Sequence, residues 1–135
     1  MKRWLLVLLL LLPLTSTFAA ESAPKQIVEN FFDLVVKGQI SNGYDQLFIG
    51  SSIPKDKPQA VSMLKQQTEG GLPLYGKVLG YEYISEEKFG TSILRYVYVL
   101  KSEKGPTEWE FYFYKPKGSW FLVNVTFNDQ FTLLR

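Results

Sequence analysis

The feature that most constrains this chain is a change of hydrophobic period near residue 75. Residues 22–70 place apolar side chains three and four apart, as helices do. Residues 75–128 alternate from one residue to the next and are dense in Tyr, Phe, Val and Trp. A chain that reads helix first and strand later in one short length is expected to be α+β, with the helices on one face of an antiparallel sheet.

The strand half divides cleanly. Lys77 to Glu86 is expected as a first strand, turned by "EEKFG" (Glu86 to Gly90). Thr91 to Ser102, "TSILRYVYVLKS", is the second and richest in β-branched and aromatic residues. Thr107 to Tyr114 and Trp120 to Asn128 follow, separated by "KPKG". Such short turns join neighbouring antiparallel strands, so the sheet is expected to be a four-stranded meander. On the third strand Trp109, Phe111 and Phe113 form one stripe; on the fourth Phe121, Val123, Val125 and Phe127 form another. Both stripes are expected to face the helices. Glu108, Glu110, Tyr112, Tyr114, Trp120, Leu122, Asn124 and Thr126 then share the opposite face. The second strand's register is open, and one residue of slip decides where Arg95 points.

The helical half is expected to hold three helices. The first runs from Pro24, suited to a first turn, to Lys37, with Gly38 beyond it as a C-terminal cap. Ile27, Val28, Phe31, Phe32, Leu34 and Val35 supply its apolar face. A second, Asn42 to Phe48, takes Ser41 as N-cap. Gly50 to Pro54 reads as a turn. Asp56 then caps a third helix, Lys57 to Glu69, which Gly70, Gly71 and Pro73 end.

Before these elements lies a segment with the layout of a secretory leader. Met1-Lys2-Arg3 is basic, Trp4 to Leu12 is apolar, Pro13 interrupts, and Thr15 to Ala20 is a small-residue region. Residues 1–20 are expected to be removed near Ala19 or Ala20. The apolar run is short for a retained span of ~20 residues. This predicts a periplasmic or secreted protein, a single domain over 21–135, and no membrane association after cleavage. Of the 15 basic residues, two lie in the leader, and the remainder balance the 13 acidic ones. Near-neutral charge gives no reason to expect nucleic acid as a partner.

Missing residue types narrow the chemistry. The chain contains neither Cys nor His. That removes the usual Ser-His-Asp and Cys-His nucleophilic sets, His-based zinc sites, disulfides and lipidation at a Cys. No Asp-rich calcium loop and no glycine-rich phosphate loop is present. No metal and no cofactor is expected.

Two stretches carry a family resemblance. "IVENFFDLVVKGQISNGYDQLF" (Ile27 to Phe48) is a long amphipathic helix leading into a short second one. "EWEFYFYKPKGSWFLVNVTFND" (Glu108 to Asp129) looks like a last hairpin in which a Trp after a lysine-glycine turn opens the closing strand. This order is similar to the nuclear transport factor 2-like (cystatin-like α+β cone) superfamily, nearest to its small exported bacterial members without assigned activity. The resemblance covers the whole mature chain. It implies helices on a curved meander, and it covers both enzymes and non-enzymatic binding modules, so fold does not supply function. The dehydratase type in that group relies on His, absent here. The isomerase type uses a buried Asp base with Tyr and protonated Asp donors, and no such set can be matched residue by residue.

The residues themselves offer two groups. Asp33, Tyr44 and Arg95 are polar or ionisable groups in apolar context and form a candidate ligand-binding set. Asp33 is either a desolvated base or on the solvent side of its helix. Arg95 either holds a ligand carboxylate or pairs outward with Glu108 or Glu110. Tyr112, Tyr114, Trp120 and Asn124 form a candidate interface, with Tyr96 and Tyr98 as further aromatic candidates, and a sheet-to-sheet homodimer is the expected assembly. Asn124-Val125-Thr126 matches a glycosylation acceptor but lies mid-strand, which argues against modification. The expected function is a non-catalytic module binding a small apolar ligand in the cone or a protein on the sheet. The alternative is an isomerase- or cyclase-type enzyme using Asp and Tyr as acid and base.

Overall fold

A computed structural model describes residues 23–134. The expected leader, residues 1–20, lies outside the described residues. Four helices precede four strands: α1 (Pro24–Val36), α2 (Ile40–Leu47), α3 (Ile53–Asp56), α4 (Pro58–Gly71), a 3-10 turn (Leu72–Tyr75), β1 (Val78–Phe89), β2 (Ile93–Ser102), β3 (Thr107–Tyr114) and β4 (Phe121–Asn128). The strands pair antiparallel in sequence order, β1-β2-β3-β4. The result is the expected α+β class, with a curved, unclosed sheet.

α1 ends as its sequence dictates. Gly38 takes a φ of 76°, its N–H donates to the Val35 carbonyl, and the Gln39 N–H donates to the Leu34 carbonyl. This is a complete Schellman closure, and only glycine enters that backbone region without penalty. α2 then packs tightly on α1. A Cβ on Gly43 would stand 3.1 Å from the Phe31 ring and 3.3 Å from its carbonyl oxygen, so the absence of a side chain permits the approach.

Several boundaries differ from expectation. α2 starts at Ile40, placing Ser41 inside the first turn; its cap, Gln39, makes no side-chain hydrogen bond. The stretch read as a turn contains α3, with Pro54 near its start. Asp56 closes that helix instead of capping α4, whose first position is taken by Pro58. β1 continues to Phe89 because Glu86 to Phe89 keep pairing with Tyr96 to Ile93, and the turn falls at Gly90, where φ is 60°.

The core lies between the helices and one sheet face. Val28, Phe31, Phe32 and Val35 of α1 and Tyr44 and Leu47 of α2 meet Tyr98, Leu100, Trp109, Phe111, Phe113 and Leu122. The rings interlock: Phe31 lies 5.5 Å from Trp109, Phe32 5.3 Å from Tyr98, and Trp109 stacks on Phe127 at 4.4 Å. Offset and tilted aromatic pairs of this kind add to simple burial. The helix–sheet space is therefore filled by side chains.

The expected stripe on β4 is corrected by a bulge. Tyr112 pairs with Asn124 but Phe113 pairs with Leu122, so Val123 is an extra residue without a partner. A single inserted residue inverts the alternation beyond it. Val125 and Phe127 face the helices as expected, but Leu122 enters the core at 0% exposure and Val123 is 40% exposed. Phe121 turns to the other face, edge-on to Tyr114 at 5.8 Å. β1 is bulged at Leu79 and again at Ile84, both exposed.

Candidate functional site: the outer face of the sheet

The register of β2 settles the direction of Arg95. Leu94, Tyr96, Tyr98 and Leu100 take the helix side, while Arg95, Val97 and Val99 take the outer side. Arg95 stands opposite Tyr112 on β3 and Glu87 on β1. Its Nε donates to Glu110 Oε2 at 2.7 Å and its Nη1 to Glu87 Oε1 at 2.6 Å. The outward pairing with Glu110 is as expected. Glu108, the other expected partner, is engaged elsewhere. Burial opposes the charge on Arg95, but the Glu110 hydrogen bond and the charges of Glu110 and Glu87 outweigh it and hold the guanidinium above its ordinary pKa.

Asp33, Tyr44 and Arg95 do not converge. Asp33 is exposed on α1, where it accepts a hydrogen bond from the Tyr81 hydroxyl at 2.9 Å. Tyr44 is buried between helices, 2.7 Å from the Thr68 hydroxyl. The Thr68 proton goes to the Leu64 carbonyl, which makes Tyr44 the donor. Burial pushes the Tyr44 phenol up. Arg95 lies across the sheet from both.

The second candidate group fares differently. Tyr112, Tyr114 and Asn124 line one open groove of about 830 Å³ on the outer face, together with Phe89, Ile93, Glu110 and Val123. Trp120 is apart from them. It packs against the core cluster, under the Lys115 ammonium at 4.9 Å, and lines a separate hollow with Glu86, Lys88 and Leu94. Of the other aromatic candidates, Tyr96 and Tyr98 belong to the core.

Sequence reasoning missed three apolar walls of the groove. Phe89 reads as part of a turn until strand pairing extends β1 by three residues. Ile93 depends on β2 register, and Val123 is outward only because of the bulge. The strand pattern held no signal for that bulge.

Local structure accounts for the groove's chemistry. Phe89 opposes Ile93, and Ile93 opposes Tyr114, so three neighbouring strand ends present an apolar floor. The Arg95 ion pairs form one boundary and the Asn124 amide another. Glu87 and Glu110 are both engaged by Arg95, so the surface offers rings, methyl groups and one amide, the composition that interfaces favour. Among the described residues no cluster of three Asp or Glu side chains could hold a metal ion. No described helix is long and apolar enough to cross a membrane.

No protein-family model, curated protein or solved structure matches this chain.

Proposed function

We propose that this chain is an exported, non-catalytic interaction module of the nuclear transport factor 2-like kind. Its outer sheet face is the binding surface and a second copy of the chain is the partner. The observation that carries this reading is the groove of Phe89, Ile93, Tyr112, Tyr114 and Val123 on a face the helices leave uncovered. A contiguous apolar patch rimmed by polar groups is the physical mark of an interface.

Two further features support the face over other routes. The interior between helices and sheet is packed with Phe31, Phe32, Trp109 and Phe111, which favours a partner over an internal ligand. Both edge strands carry bulges, at Leu79 and Ile84 on β1 and at Val123 on β4. Bulged edges resist strand addition, which leaves the face.

Sedimentation velocity across low to high micromolar concentrations tests the proposal. The wild-type chain is expected to shift from monomer to dimer, and Ile93→Glu is expected to remain monomeric while keeping its far-UV spectrum. A wild-type chain that stays monomeric at high micromolar concentration overturns it. Export rests on residues 1–20, and N-terminal sequencing of the protein from its native host should begin just after Ala19 or Ala20.

A further inference from the structure

The outer face already holds one guest at its other end. Glu108 is 0% exposed, although it projects away from the helices. Its burial is the work of the C-terminal segment. Oε1 accepts the Thr132 backbone N–H at 3.1 Å and the Thr132 hydroxyl at 3.3 Å, and Oε2 accepts the Leu133 N–H at 3.1 Å. Both carboxylate oxygens are thus taken by consecutive residues of one turn, whose two N–H groups point the same way. Charge-assisted bonds of this kind are stronger than neutral ones.

The segment is reached through a strained hinge. The Asn128 side chain accepts the Gln130 N–H at 2.8 Å, and Asp129 accepts the Tyr75 hydroxyl at 2.9 Å. Phe131 follows with a φ of 56°, and it is the one non-glycine residue with positive φ among those described. A bulky aromatic residue is disfavoured there. Folding the tail back onto its own Glu108 therefore carries a backbone cost that an opened hinge would not.

We infer that the Glu108 end of the outer face is a receptor for residues 131–134 of a second copy, so that the dimer exchanges its C-terminal tails. This rests on the outer-face dimer proposed above. The receptor's fit to this segment is on display, and a second copy carries the same segment. Strain in a short hinge favours exchange over closure. Reach sets the geometry. Gln130 to Leu133, fully extended, span about 14 Å, so the partner's receptor must lie on the shared face. The tail and the groove then form one continuous interface, with Glu108 at one end and Ile93 at the other.

Two full-length variants separate exchange from closure. Glu108→Ala keeps the tail and loses the receptor. The double variant Thr132→Pro, Leu133→Pro keeps the receptor and removes both N–H donors. Isotopically labelled Glu108→Ala is mixed with the unlabelled double variant, and hydrogen exchange is followed at Thr132 and Leu133. Mixing is expected to slow exchange at both amides at least tenfold; unchanged rates overturn the inference. Sedimentation of the same mixture, run beside the wild-type chain, separates the two proposals. Dimer without slowed exchange removes tail exchange and leaves the face interface standing, while absence of wild-type dimer removes both. Should circular dichroism show that either variant fails to fold, Phe131→Gly in the full chain decides. Removing the hinge penalty favours closure and is expected to weaken the dimer about tenfold; an unchanged dissociation constant refutes exchange.

Discussion

Leu122 and Val123 are adjacent, similar in size and opposite in fate, which makes them the sharpest test of the fold. Simple alternation along "FLVNVTF" puts Val123 among the core residues. The bulge puts Leu122 there instead, at 0% exposure, and leaves Val123 40% exposed. Leu122→Ala removes three buried carbons, about 2.4 kcal/mol of transfer free energy at about 0.8 kcal/mol per methylene. The residual cavity adds to this, so a total loss of about 3 kcal/mol is expected. Val123→Ala removes two carbons already largely in water and is expected to cost about 0.5 kcal/mol or less. Urea unfolding reports both, with the buried Trp109, stacked on Phe127 in the same core, as a fluorescent probe. A larger loss for Val123→Ala than for Leu122→Ala would place the bulge elsewhere and would undo the account of the outer face built on it.

Three further outcomes follow from packing and charge. Gly43→Ala drives a methyl to 3.1 Å from the Phe31 ring and should cost about 1–3 kcal/mol in the same unfolding assay. Arg95→Met strands the half-buried Glu110 carboxylate and should cost about 1–3 kcal/mol, most of which Arg95→Met with Glu110→Gln should restore. Tyr96, pushed up to about 12 mainly by burial, and Tyr81, pushed up to about 12 by burial and then by Asp33, stay neutral when the unfolded chain ionises near 10. Their contribution to stability is complete below pH 10 and is lost as pH rises from there through about 12. Absorbance at 295 nm should show these phenols titrating after the exposed ones, and urea midpoints should fall over the same window.

Much of the fold was legible because it rests on local signals. The change in period marked helices and strands, the aromatic stripe of Trp109, Phe111 and Phe113 marked the core face, and Gly38 marked the end of α1. What escaped depends on partners distant in sequence. Ser41 and Asp56 look like caps in isolation, but α2 begins earlier and α3 intervenes. Val123 and Leu122 exchange places through a bulge that pairing with β3 fixes. Glu108 reads as a surface residue because its burial comes from a tail 24 and 25 positions away. The candidate groups divided in the same way. Tyr112, Tyr114 and Asn124 follow from alternation on adjacent strands and meet in one groove. Asp33, Tyr44 and Arg95 were linked only by being polar among apolar neighbours, and tertiary packing sends them to three places.

The central claim is that two copies meet through the groove on the outer face. An isotope-filtered NOE experiment on an equal mixture of labelled and unlabelled chain observes this contact directly. Cross-copy signals are expected from the Ile93 and Val123 methyl groups to the rings of Phe89, Tyr112 and Tyr114. Cross-copy signals confined to the helices or to the β1 edge, with none at Ile93 or Val123, would contradict it.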